Sequence, residues 1–139
     1  PPPIQTRVLP NDGLTRELVI EIKTGGDDLR GGNDNVSVVV NYTDGSSDTY
    51  PNVNNGARWI GNYCETVVLT LRKPAPLNQI AGITLKTSFG GGFNGDNWNV
   101  DELYVIARSG SGEQKIYERT GRPIVRFDGN NTPFTIRFR

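Results

Sequence analysis

"ELVIEIKTGGDDLRGGNDNVSVVVNY", residues 17–42, joins two alternating apolar runs through a loop of glycines and oxygen-bearing side chains. In the first run Leu18, Ile20 and Ile22 alternate with Glu17, Val19, Glu21 and Lys23. In the second, Val36, Val38, Val40 and Tyr42 fall on one face. A period of two with β-branched residues is the mark of a half-buried strand, because successive side chains of a strand point to opposite faces. The stretch therefore reads as strand, polar loop, strand.

The same period recurs outward from it. Val67, Leu69 and Leu71 alternate in "TVVLTLR", and Ile83 and Leu85 in "GITLKTS". In "WNVDELYVIA" strict alternation puts Trp98, Val100, Glu102, Tyr104 and Ile106 on one face and Leu103 and Val105 on the other. "PIVRF" and "PFTIRFR" close the chain and read as a hairpin turning around Asp128 to Asn131. "NDG", "TDGSS", "GGGFNGDN", "SGSGE" and "FDGNN" punctuate the runs, and Gly and Asx residues supply the positive φ and side-chain-to-backbone bonds of turns. No helical stripe is sustained. The expectation is an all-β fold: an antiparallel β-sandwich of about eight strands, in a single domain over residues 11–139. Residues 1–10, opening "PPPIQT", read as a linker-like segment. The absence of Met suggests a domain taken from a larger protein.

Composition removes several functions. The 15 basic residues balance the 15 acidic ones, so no overall field recruits nucleic acid. No apolar run approaches the length of a membrane-spanning helix. With no His in the chain, Cys64 has no imidazole to activate it and zinc loses its usual ligand. Cys64 is accordingly expected to be a buried structural thiol. Catalysis is not expected, although Asp27 with Asp28 and Asp96 with Asp101 are paired carboxylates.

The loops carry the chemistry. Asp27, Asp28, Asn33, Asp34 and Asn35 surround Gly31 and Gly32, and Asn94, Asp96, Asn97, Asn99 and Asp101 follow Gly90 to Gly92. Calcium takes about six to eight oxygens in forgiving geometry, so two such loops meeting at one end of a sandwich offer it a site. The plainer reading is that Asn, Asp and Gly are simply what turns are made of. Trp59, Tyr63 and Tyr50 are a candidate exposed platform for a sugar ring or lipid headgroup; the alternative for Trp59 is to cover a sandwich edge. Trp98 is expected in the core. Arg119, Arg122, Arg126, Arg137 and Arg139 read as a solvated face, with Arg126 and Arg137 opposed across the hairpin unless an anion separates them.

"IEIKTGGDDLRGGNDNVSVVVNY" resembles the opening of PLAT/LH2 domains, the β-sandwich modules of lipoxygenases, lipases and polycystins. "PLNQIAGITLKTSFGGGFNGDNWNVDELYVIA" resembles their later half, with Trp98, Asp101, Leu103 and Val105 in the places of a "W.xDxVxV" strand. "GEQKIYERTGRPIVRF" is similar to the continuation, so the likeness covers about residues 17–127. It departs where the family's "HDN" is replaced by "TSF", with Asp96 and Asn97 arriving later, and where "SSDTYPNVNNGARWIGNY" has no counterpart. The resemblance implies calcium ligands among Asp27, Asp28, Asn33 and Asp34. It implies a non-catalytic, calcium-assisted accessory module that binds carbohydrate or a lipid surface. Its setting would be a larger secreted or surface protein, such as a hydrolase or toxin, whose other domains are partners. The competing expectation is a structural or protein-interaction domain with no small ligand.

Overall fold

The computed structural model describes residues 8–89 and 96–139. Eight strands follow one another: β1 (Thr15–Thr24), β2 (Val36–Tyr42), β3 (Ser47–Tyr50), β4 (Cys64–Ala75), β5 (Ile80–Thr87), β6 (Trp98–Ser109), β7 (Gly112–Phe127) and β8 (Phe134–Arg137). A single 3-10 turn at Leu77–Gln79 precedes β5. They form two four-stranded antiparallel sheets, ordered β4-β1-β6-β7 and β3-β2-β5-β8. The expected sandwich is the observed one.

The alternating runs explain the core. Leu18, Ile20 and Ile22 from β1 face Val36, Val38 and Val40 from β2, and all six are fully buried. Each such side chain contributes about 1.5–3 kcal/mol by leaving water. Trp98 is buried as expected, stacked on Phe127 with ring centroids 5.3 Å apart, its indole N–H donating to Thr24 Oγ1 at 3.1 Å. An indole is well placed in a core only when that N–H is satisfied.

Strict alternation fails within the core-facing run of β6. The register against β1 skips from Thr24↔Val100 to Lys23↔Glu102, leaving Asp101 as an extra residue. This bulge restarts the parity, so Trp98, Val100, Leu103, Val105 and Ala107 all point into the core. Leu103 and Val105 are thus not on the opposite face from Trp98.

Three further expectations are corrected. β7 and β8 are not a hairpin: β7 pairs with β6 in one sheet and β8 with β5 in the other, and residues 128–133 carry the chain across. Asn131 holds that crossing at φ 52, accepting from Phe89 N at 2.7 Å and Thr87 Oγ1 at 2.9 Å and donating to Phe89 O at 2.9 Å. Arg126 and Arg137 consequently never oppose one another; their partners in the registers are Asn99 and Gly82. Cys64 is exposed, because β4 is an edge strand and Cys64 is its first residue on the outward parity.

The topology decides where the loops go. Thr24 at the end of β1, Val36 at the start of β2, Thr87 at the end of β5 and Trp98 at the start of β6 lie at one end of the sandwich. Cys64 and Phe127 are at that end too, paired with Lys23 and Trp98. The connections 25–35, 51–63 and 128–133 cross between the sheets there. Only the crossing through Leu77–Gln79 lies at the other end.

Candidate functional site

The rim at that end is built by backbone pairing between connections. Residues 58–63 run beside residues 24–29: Leu29 and Trp59 exchange both of their N–H···O bonds at 3.1 and 2.9 Å, Thr24 N donates to Tyr63 O at 3.0 Å, and Asn62 N donates to Thr24 O at 2.8 Å. On the other flank Gly25 N donates to Asn99 O at 2.8 Å and Asn99 N to Asp27 O at 3.1 Å. Gly31, at φ +78, lies so close to the 51–63 connection that a Cβ there would sit 2.4 Å from Gly56 O. Only glycine fits. Asn54, almost wholly buried, accepts from Val36 N at 3.1 Å and donates to Asn35 Oδ1 and Ala57 O, both at 2.9 Å.

Asp96 of the second cluster meets the first cluster's loop at Arg30. Asp96, 1% exposed, accepts from Arg30 N at 2.9 Å through one carboxylate oxygen, while Arg30 Nε lies 3.5 Å from the other. Burial raises the Asp96 pKa, opposed by the Arg30 N–H and guanidinium and reinforced by the negative charge of Asp28 nearby. Asp28 takes a 2.6 Å bond from Arg58 Nε. Asp27 takes a 3.0 Å bond from Arg126, whose other nitrogen donates to Asn99 Oδ1 at 2.7 Å.

The remaining expected ligands are spread out. Asp34 lies in a tight turn, exchanging backbone bonds with Gly31 at 2.9 and 3.0 Å, and Asn33 occupies the tip of that turn. Asn97 is half-buried behind Asp96. Asp101, the bulge residue, presses its carboxylate on Gly25, where an added Cβ would meet Oδ1 at 2.3 Å. It lines a polar hollow of about 490 Å³ with Lys23, Asn62, Asn99 and Arg122. Asn94 and Gly90 to Gly92 lie outside the described residues.

Calcium needs about six to eight oxygens at roughly 2.3–2.6 Å. Among the described residues no three acidic side chains come together to hold a metal. Asp27, Asp28 and Asp96 each direct a carboxylate oxygen at a guanidinium instead. Among the described residues, Asp27, Asp28 and Asp96 as arranged do not form a calcium cage. Sequence reasoning missed Arg30 and Arg58, which sit inside the loops in "DDLRGG" and "GARW", and read Arg126 only as part of a solvated face.

The aromatic platform does not assemble. Trp59 is buried at 5% exposure against Trp98, ring centroids 5.7 Å apart, because its backbone pairs with Leu29 and turns the ring inward. Tyr50 lies under the Arg72 guanidinium, and its hydroxyl accepts from Arg72 N at 3.0 Å. Arg72 lies eight residues along β4 from Cys64, about 25 Å at the usual strand rise. Tyr63 is at the Cys64 end and is 60% exposed, with Ile60, 42% exposed, on the same connection.

This rim crowns a β-sandwich of PLAT/LH2-like fold. Among solved structures, the Clostridium perfringens alpha-toxin from an avian strain is similar at a TM-score of 0.71 and 19% identity, over 94% of this chain and 33% of that one. The alpha toxin of Clostridium absonum is similar at 0.69 and 20%, over 92% and 33%. A LOX deletion variant in complex with arachidonate is similar at 0.56 and 14%, over 86% and 16%. The chain thus spans about a third of the toxins it matches and less of the LOX. No family profile matches the sequence, and no curated protein matches it.

Proposed function

We propose that the protein is a non-catalytic accessory module that docks its loop rim on a lipid surface, as part of a larger secreted or cell-surface protein. The observation that carries this reading is the pair of exposed apolar side chains, Ile60 and Tyr63, held by backbone pairing on the same rim as Asp27, Asp28, Arg30 and Arg58. Tyrosine suits a membrane interface because its ring is apolar and its hydroxyl stays wet. Likeness in fold to a minor part of much longer toxin and LOX chains supports the accessory role. A lipid surface is favoured over carbohydrate because Trp59, the natural stacking face for a sugar, lies in the core.

The test is co-sedimentation with vesicles of phosphatidylcholine, alone and mixed with phosphatidylserine. The protein pellets with vesicles, and Ile60→Asp with Tyr63→Asp releases it to the supernatant without altering its melting temperature. Absence of pelleting with either vesicle, or equal pelleting of the variant, refutes the reading. Binding to a glycan array in that case returns the function to carbohydrate.

A further inference from the structure

We infer that the acidic rim is neutralised from within, by Arg30, Arg58 and Arg126 in place of a metal ion, so that the convergence of the loops needs no calcium. Three of the rim carboxylates, Asp96, Asp28 and Asp27, each meet a different guanidinium group. Arg30 matters most. Its main chain and its side chain both approach the same buried carboxylate, binding the 25–35 connection to the start of β6 from two directions. Arg126 does the equivalent from β7, spanning Asp27 on one connection and Asn99 on β6. Arg58 ties the 51–63 connection to Asp28. Each guanidinium bridges two different segments, as a bound cation would. It also delivers planar, directed donors to carboxylate oxygens. Unlike a metal, it is already attached to the fold.

A calcium ion entering here must displace a guanidinium and find oxygens that those arginines now occupy. Asp101 does not supply them: its carboxylate lies on the Gly25 backbone, lining the hollow shared with Lys23 and Arg122.

The test is a set of thermal melts in millimolar calcium chloride and in EGTA. No vesicle or glycan is present, so the outcome is independent of which surface the rim docks on. The wild-type melting temperature is the same in both buffers, and calorimetry with calcium gives no saturable heat. Arg30→Gln melts several degrees lower in both, because a buried carboxylate loses its counter-charge. Arg30→Lys, which keeps the charge without the fork, melts between the two. A wild-type melting temperature several degrees higher in calcium and reversed by EGTA overturns the inference, since any ligand selective for the folded state raises it. So does an Arg30→Gln melt equal to wild type. If Arg30→Gln does not fold, the exposed Arg58→Gln and Arg126→Gln variants take its place in the same comparison.

Discussion

Replacing Asn131 by Ala attacks the crossing between the sheets where it is held by a single side chain. Four hydrogen bonds go: those from Phe89 N and Thr87 Oγ1 to Oδ1, and those from Nδ2 to Phe89 O and, at 3.3 Å, to Gly129 O. Each bond is worth about 0.5–1.5 kcal/mol net, and water reaches this half-buried position, so the lower half of that range applies. The backbone adds a second cost. Asn131 has φ 52, a left-handed conformation that costs a residue with a plain Cβ about 1–2 kcal/mol. Together the loss is about 3 kcal/mol, read as a shift in urea midpoint at unchanged slope. Asn131→Gly keeps the conformation and loses only the bonds, so it recovers about 1 kcal/mol of that. If Asn131→Ala costs under about 0.5 kcal/mol, a surface substitution's usual effect, the side chain does not hold the crossing. If Gly and Ala are equally destabilising, the backbone share of the reasoning is wrong.

Other expectations follow from the same contacts. Glu17, 1% exposed, meets Arg108 Nη1 at 3.1 Å; Arg108→Ala costs about 1.5–3 kcal/mol by removing a charged partner of a buried carboxylate, and adding Glu17→Gln restores part of it in urea unfolding. Burial raises the Asp96 pKa, so the folded state binds its proton before the unfolded chain does; as pH falls from neutral towards the carboxylate range, wild type gains stability relative to Asp96→Asn. A wild type that instead loses stability relative to that variant on acidification means the Arg30 pairing outweighs desolvation. A Cβ at Gly82 would lie 2.0 Å from Ile136 O; Gly82→Ala forces β8 away from β5, and amide exchange along residues 134–137 accelerates while that of β2 does not.

The fold was legible because its strands are nearly all half-buried, and burial writes itself as a period of two. Leu18, Ile20 and Ile22 or Val36, Val38 and Val40 leave no other economical reading. What alternation cannot show is an inserted residue. Asp101 breaks the parity of β6, and nothing in "NVDEL" distinguishes a bulge from a continuous strand before the pairing to Lys23 and Thr24 is known. The C-terminal crossing was illegible for a related reason. "FDGNNTP" has the chemistry of a tight turn, and only Asn131 reaching Phe89 and Thr87, over 40 residues away in sequence, turns it into a bridge between sheets. Carboxylates of the two clusters, Asp27, Asp28 and Asp96, do share one end. Their counter-charges were hidden because an arginine near an aspartate in sequence need not pair with it: Arg30 passes over Asp28 for Asp96, and Asp28 is met by Arg58. Trp59 stayed open between an exposed platform and an edge cover because polar neighbours say nothing about which way a ring turns; its backbone pairing with Leu29 decides it.

The chain's own chemistry offers the most direct measurement. Cys64 is the only cysteine, it is exposed, and it follows Tyr63 at the rim. A polarity-sensitive fluorophore on this thiol shifts to the blue on adding phosphatidylcholine vesicles and is quenched by spin-labelled lipid. The same fluorophore on Ser111→Cys, in a Cys64→Ser background, lies at the opposite end and does neither. Equal responses from the two ends, or none from Cys64 while the protein pellets with vesicles, contradict docking through the rim.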